Sequence, residues 1–310
     1  MNLIRHIQVT FNVNGQIYTY DATGDRTTLD ISFNVNKTID GTPNESTIVI
    51  RNLAPSTRQQ LEAVSKQIRC DLFVGYVGQD LTLLASGTIR MVFPEKMGAE
   101  NHTTISIVDG VGGVQFATVN KTYPAGTPIK SLVADLAKNL MTIKYSGNTI
   151  DSGVRVSEDR IVLPADWVVG SRGFVANGRV ASVLNQLSRE YGFTWSIQNF
   201  AFQAINDILE SPTNTPFQTY LVSYRQSNLI KVTPALQIDF DKPVGMMVEA
   251  ILNPKVQAGD FIIVESEFYP EYNGTYMVGD AQFTGAIRGM DWRMVLTMRG
   301  FPGQQTAVAI

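Results

Sequence analysis

The sequence predicts a mainly β protein with an α+β insert: two β-barrel or sandwich segments flanking a small mixed module. Three observations lead there. Apolar and polar residues alternate with a period of two over much of residues 1–116, and strand patterns return over residues 215–310. Two amphipathic helical patterns lie between them, inside residues 117–214. At 310 residues the chain is long enough for two or three separate cores. The expected divisions are therefore 1–116, 117–214 and 215–310.

In the first segment, Ile7 to Val13 alternates apolar and polar side chains. Asn14-Gly15 then supplies turn chemistry before Gln16–Tyr20, so the two runs read as a hairpin. Leu29 to Val35 alternates in the same way, and Ser46–Leu53 reads as a more buried strand. After Pro55, Ser56 can cap a short helix to about Gln67, with Leu61 and Val64 on one face. Strands resume at Cys70–Tyr76, Leu81–Met91 and Asn101–Val108. This order suggests a barrel or sandwich with the helix plugging one end.

In the second segment, Thr127-Pro128 reads as an N-cap followed by proline at the first helical position. The helix Pro128–Leu140 spaces Leu132, Leu136 and Leu140 by four. Residues 143–178, rich in glycine, read as loops around one short strand. A second helix, Val180–Tyr191, ends at Gly192 as a natural C-cap. Phe193–Ile197 and Ala201–Ile205 form a hairpin around Gln198-Asn199.

Ser211 to Pro216 is the clearest linker. Strands then follow at Leu229–Val232, Leu236–Phe240, Val244–Ile251, Phe261–Glu265, Gly274–Phe283 and Asp291–Arg299. Phe301–Ile310 reads as an extended tail that either docks on a partner or stays disordered.

Composition narrows the function. Hydrophobic residues at 44% and charged residues at 17% place the chain among ordinary globular proteins and not among disordered ones. A net charge of −3 and a pI near 5.5 leave no electrostatic footprint for nucleic acid or an anionic membrane. The amino terminus lacks a signal-peptide pattern, and no apolar stretch approaches the roughly 20 residues that cross a bilayer. A cytoplasmic origin is expected. The single cysteine, Cys70, excludes an internal disulfide and a multi-cysteine zinc site, and its place at a strand start predicts a buried apolar role.

Local chemistry is sparse. His6 and His102 have no carboxylate or second histidine at ligand spacing, and both read as surface residues. Asp109-Gly-Val-Gly-Gly-Val114 lacks the third glycine and the following helix of a dinucleotide loop, so a turn is expected. Glu265 to Gly274 concentrates acids and aromatics. It reads as a strand end and hairpin loop, with a sugar-binding shelf or a glycosidase-like carboxylate pair as the other readings. No catalytic residue, cofactor or metal is expected.

The first and third segments share an order of features. Ile48–Leu53 resembles Glu249–Pro254, each ending a strand on Asn plus a turning residue. Each is followed by a buried strand, Leu72–Gly75 and Phe261–Val264. Gly87-Thr-Ile-Arg and Gly274-Thr-Tyr-Met then open long hairpins, which end at Val108-Asp-Gly110 and Met298-Arg-Gly300. A real repeat would give one chain two copies of a barrel, so that a ring holds twice as many barrels as chains.

These residues carry a resemblance. Gly245–Val264, with Leu252-Asn253-Pro254 and Gly259 opening the next strand, resembles phage baseplate and tail hub proteins. Asn273-Gly274-Thr-Tyr and Met290-Asp-Trp292 look like that family's later strands, although the histidine it often carries near Phe283-Thr284 is missing. Upstream, Asn52-Leu53 at the end of Ile48–Leu53 and Gly87 in Ser86–Arg90 are similar to its amino-terminal domain, and Val183–Leu187 with Tyr191–Trp195 to its middle module. The resemblance implies a homotrimeric hub, closest to those of contractile tails, with two tail-tube-like barrels per protomer. It implies a non-enzymatic role in the virion tail, joining a six-fold tail tube to a three-fold central spike, with other baseplate proteins as further partners. DNA would pass through without specific binding, and no membrane is involved. The alternatives from other classes are a carbohydrate-binding β module of a tail or cell-surface complex, and a tail-associated cell-wall hydrolase.

Overall fold

The computed structural model describes residues 4–13, 15–25, 29–64, 68–145, 148–206, 216–234 and 246–299. Asn14, most of the Ser211–Pro216 linker, the expected strand Leu236–Phe240 and the Phe301–Ile310 tail lie outside them.

The period-two runs of the first segment form strands β1 (Arg5–Val13), β2 (Gln16–Thr23), β3 (Asp30–Thr38) and β4 (Glu45–Arg51). Helix α1 (Pro55–Val64) follows, then β5 (Arg69–Tyr76), β6 (Thr82–Met97) and β7 (Glu100–Val108). Burial alternates as the side-chain period requires: Ile31, Phe33, Val35 and Lys37 of β3 are buried, while Ser32, Asn34 and Thr38 are half-buried and Asn36 is exposed.

The middle segment begins with α2 (Val111–Phe116), a single short helix where the glycine run predicts a turn; Gly110 enters it at φ 59°. It continues with β8 (Thr118–Tyr123) and α3 (Ile129–Lys138). Residues 143–178 are more ordered than their glycines suggest. They hold β9 (Thr142–Tyr145), β10 (Asn148–Asp151), β11 (Arg155–Val162) and β12 (Phe174–Arg179). Their side chains are largely exposed, so no apolar alternation betrays them. Helix α4 (Val180–Tyr191) ends on Gly192 at φ 73°, and the hairpin of β13 (Phe193–Gln198) and β14 (Ala201–Asn206) completes the module. Ala117 through Ala204 contribute to one apolar cluster of its own, centred on Leu132, Leu136, Leu184, Leu187 and Trp195.

The last segment supplies β15 (Thr219–Ser223), β16 (Leu229–Pro234), β17 (Met246–Ile251), β18 (Phe261–Glu265), β19 (Gly274–Ala286) and β20 (Trp292–Arg299). Strands from the first and last segments belong to one 13-stranded sheet. They also share one apolar core, which runs from Ile7 to Met298.

Within that sheet the first β unit orders its strands β3-β4-β7-β6-β5, and the second orders them β16-β17-β20-β19-β18. Every one of these neighbouring pairs is antiparallel. Both units carry a bulge at the same place, between Ile89 and Met91 in β6 and between Val278 and Asp280 in β19. The repeat is therefore one of topology as well as of motif order, although the alignment on Asn is one residue out. The bulges put Ile107 level with Met298, and the ladders then put Ile48 level with Val248 and Asn52 level with Leu252. By the same registers Gly87 stands level with Tyr276 rather than with Gly274.

The two units are joined by β3, which pairs antiparallel with the second half of β19, from Thr38 opposite Asp280 to Ser32 opposite Ala286. Among the described residues no helix is long and apolar enough to cross a membrane.

Candidate functional site

The joined units create a run of eight strands, β16-β17-β20-β19-β3-β4-β7-β6. Its inner face holds the apolar core. Its other face is set by the opposite phase of the same alternation, and it is mixed: polar around β3, with Met247 and Ile251 of β17 and Met91, Phe93 and Met97 of β6 exposed towards its two ends. Ser32, Asn34, Asn36 and Thr38 of β3 stand beside Thr47 of β4, Gln282 and Thr284 of β19, and Thr297 of β20. The charges on this face are largely matched: Arg293 donates to Glu249 at 2.8 Å, Arg90 lies 3.5 Å from Glu45, and Arg51 pairs with Asp30. A cleft of about 410 Å³ opens across the β3–β19 seam, lined by Asn36, Thr38, Gln282 and Thr297 together with Met247 and Val295.

The middle module holds this seam from behind. Asn199 and Phe200, both at positive φ (52° and 66°), make the two-residue turn of the β13–β14 hairpin. The turn is keyed into the first unit: Phe200 N–H donates to the Asp109 carboxylate at 2.8 Å, and Ser86 N–H donates to Asn199 Oδ1 at 3.1 Å. Asn44 Nδ2 donates to the Ile197 carbonyl at 2.8 Å, and Gln198 Nε2 donates to the Thr38 carbonyl at 2.7 Å. Further along the hairpin, Gln203 Nε2 donates to the Ala258 carbonyl of the second unit at 2.9 Å.

Lys37 lies buried beside this joint, its ammonium donating to Gln257 Oε1 at 2.5 Å. Burial lowers its pKa to about 8, against the partial support of Asp109 and Asp260. Asp109 is pushed up to about 7, chiefly by burial, with the Phe200 N–H and Lys37 pulling the other way. Asp260 is raised for the same leading reason, although it accepts the N–H groups of Gln218 and Gln257.

The motif residues do not form one cluster. Leu252, Asn253, Pro254 and Trp292 come together beside Gly75 and Tyr76 of the first unit, around a cleft of about 390 Å³. Trp292 Nε1 donates to the Tyr76 hydroxyl at 2.9 Å, its ring meets Phe33 edge-on, and the Arg5 guanidinium lies 5.3 Å from it. Arg5 also donates to the carbonyls of Ala286 and Gly289, tying β1 to the β19–β20 turn. Asn52, at φ 57°, donates its N–H to the Asn101 carbonyl at 2.7 Å and closes the end of β4, with Leu53 buried behind it. Leu252 N–H donates to the Trp292 carbonyl at the equivalent position.

Gly87 sits in β6 opposite Cys70 and against the Val108 backbone. Gly259 meets the module at φ 100°, where a Cβ would stand 2.7 Å from Ile205, so only glycine fits both demands. Asn273 binds both backbone groups of Ser266 and shapes the loop that leads through Gly274 into β19. These are packing and turn residues.

The histidines each find a carboxylate that their local sequence did not place at ligand spacing: His6 lies 2.6 Å from Asp21 and His102 3.2 Å from Glu100. Neither has a second ligand among the described residues. Among the described residues no group of three or more His, Cys, Asp or Glu could hold a metal ion. In the Glu265–Gly274 loop, Phe268 and Tyr269 are exposed, and Glu267 pairs with Arg225 at 3.1 Å. Sequence reasoning missed the Lys37–Asp109 joint. The signal was a lysine in the buried phase of Ile31, Phe33 and Val35.

This architecture is the fold of phage tail and baseplate proteins. A tail protein from Neisseria meningitidis MC58 shares it with a TM-score of 0.62 at 10% identity, over 95% of this chain and 96% of its own. The 43 kDa tail protein of prophage MuSo2 from Shewanella oneidensis matches with a TM-score of 0.60 at 7% identity, over 94% and 96%. An E. coli type VI secretion component, described as structurally similar to the T4 tail proteins gp27 and gp5, matches with 0.55 at 10% identity, over 88% and 74%. At these identities the likeness is one of fold. No family model matches the sequence, and no curated protein does.

Proposed function

We propose that the chain is a structural hub of a phage-type tail, in which three copies form a ring that presents six β units to a six-fold tail tube and a three-fold face to a central spike. The observation that carries this reading is the strand order repeated within one chain. A homotrimer of a chain with two like units has three-fold symmetry and six quasi-equivalent positions, which is what a three-to-six adaptor needs. The same reading puts residues 1–116 and 215–310 in the two tube-like units and 117–214 in the module between them.

The outer sheet face, polar around β3, suits the lining of a DNA channel. Duplex DNA carries one charge per roughly 1.7 Å, and cationic surfaces hold it by releasing its counterions. The amides, hydroxyls and paired charges of β3 and its neighbours, with the uncharged Met247, Ile251 and Phe93 beyond them, give that process little to work with, so DNA slides past. The chain acts here without catalysis or a cofactor, as part of the virion tail. Its partners are itself, the tail tube protein, the spike and other baseplate proteins.

Mass photometry of the purified chain, alone and with the spike protein of the same tail, tests the reading. The expected species has three times the 34.2 kDa chain mass. A chain that remains monomeric in the presence of the spike overturns it.

A further inference from the structure

Lys37 is a buried cation with few partners. Its side chain occupies the inner phase of β3 with Ile31, Phe33 and Val35, and its backbone stands opposite Ala281 of β19. An ammonium has three donors, yet among the described residues Lys37 Nζ has one acceptor, Gln257 Oε1 at 2.5 Å. Burying a charge so thinly satisfied is costly, and burial favours the neutral amine. With the pKa lowered to about 8, about one Lys37 in ten carries a free amine near pH 7. A desolvated lysine of this kind is a nucleophile.

The group it faces is an amide held in place. Gln257 sits in the turn before β18, where its N–H donates to Asp260 Oδ2 at 2.8 Å and its carbonyl accepts Asp260 N–H at 3.1 Å. Among the described residues nothing accepts from Gln257 Nε2. Two carboxyls, Asp109 and Asp260, act on Lys37 electrostatically, with Arg160 opposing them. Asp260 is occupied by the N–H groups of Gln218 and Gln257. Asp109 shares with Lys37 a small cavity of about 10 Å³, and with its pKa pushed up to about 7 it can take up a proton or release one. Asn44 borders the same cavity, but both ends of its amide are bound, to Thr38 N–H and to the Ile197 carbonyl.

We propose that Lys37 and Gln257 join as an intramolecular isopeptide bond, which ties β3 of the first unit covalently to the second unit. The neutral Nζ attacks Cδ of Gln257; the Nζ–Cδ bond forms and the Cδ–Nε2 bond breaks. Asp109 carries the proton that Nζ loses to the departing nitrogen, so the products are a neutral secondary amide and ammonia. No oxidant or co-reactant is consumed. Holding the two groups in contact supplies the entropy that a separate transferase would otherwise provide. The amide also has one donor to satisfy where the ammonium had three. The bond spans 220 positions of the chain and does not depend on the ring.

Mass spectrometry of the purified, denatured chain tests this on the parent protein itself. The intact mass is expected about 17 Da below that of the sequence, the loss of ammonia, against about 18 Da for an amide between Lys37 and a carboxyl. Trypsin should no longer cut after Lys37, and residues 27–51 should appear joined to residues 256–288 as one branched peptide. Lys37→Met, which keeps a long apolar side chain in the buried phase, and Gln257→Ala should each show the full mass of their own sequence. Asp109→Asn should form the bond about 100-fold more slowly in newly made protein. A variant that links at the parent's rate overturns Asp109 as the proton carrier. A parent chain of full mass overturns the bond. So does a loss of ammonia that maps to a succinimide at Asn177-Gly178 and gives no branched peptide, and so does an amide from Lys37 to Asp109 or Asp260. A monomeric chain that carries the bond supports this inference and overturns only the ring.

Discussion

The two β units share their inner strands and differ at their flanks. In the first unit β5 continues into β1 antiparallel and then β2, and a helix bridges β4 to β5. In the second, β18 takes β15 as a parallel neighbour, and the link from β17 to β18 is a short irregular segment around Asn253 and Gly259. The strands kept in both copies are the eight of the run β16-β17-β20-β19-β3-β4-β7-β6 together with β5 and β18. Those that vary lie beyond them. The difference separates a repeated frame from flanks that each copy closes in its own way.

The largest expected effect is at Trp292, whose level position in the first unit is the exposed Asn101. Trp292→Ala removes a buried ring that packs on Phe33, Tyr76 and Arg5, and should cost about 3–5 kcal/mol in urea unfolding. Asn101→Ala should stay within about 0.5 kcal/mol. Equal costs would break the view that only the second unit buries this position.

Next comes the joint, where the first unit receives the hairpin turn through a carboxylate and the second receives the hairpin through the Ala258 carbonyl. Asp109 has a folded pKa of about 7, raised from 3.8. Its proton-linked contribution is therefore fully present near pH 4 and is lost as pH rises through 7. Asp109→Asn keeps an acceptor for Phe200 N–H but cannot titrate. Relative to the variant, the parent should lose roughly 2–4 kcal/mol of stability between pH 4 and pH 7, read from unfolding midpoints across that range. A parallel pair of curves would refute the buried acid.

A third test concerns Gly285 and its counterpart Lys96. A Cβ on Gly285 would stand 2.4 Å from Cζ of the buried Phe33 ring, so Gly285→Val should cost about 1–3 kcal/mol. Lys96→Val, on the open edge, should leave the stability of the isolated chain unchanged in the same thermal melt. The smallest effect is at Asn52. Its φ of 57° and its bond to Asn101 N–H make Asn52→Ala cost about 1–2 kcal/mol, with Asn52→Gly recovering the backbone share. At Leu252, whose φ is not positive, glycine should give no such recovery.

Much of the fold was legible because it follows local period. The alternation in Ile7–Val13 and Leu29–Val35 and the four-residue spacing of Leu132 and Leu136 each declare an element before any partner is known. Only one of the strands within 143–178 was expected, because exposed strands such as Asn148–Asp151 carry no buried phase. The repeat was visible in motif order but misread by a residue. Asn52 and Asn253 are alike as turn formers, whereas burial of Ile48 and Val248 is decided by neighbouring strands. The β3–β19 pairing joins residues almost the whole chain apart, and nothing local announces it. The joint was legible only as an anomaly, Lys37 in an apolar phase, with its partners Asp109 and Gln257 far away in sequence.

Identical subunits joined in series close into a ring or run on as a helix, and the turn per step alone decides which. The β13–β14 hairpin, gripping Asp109 and Ser86 on one side and Ala258 on the other, holds the angle between the two β units. In the ring proposed above, the angle set inside one chain would be repeated in every copy. The small module is thus a gauge of curvature for that proposed ring: loosening its grip would free the angle while leaving each unit folded.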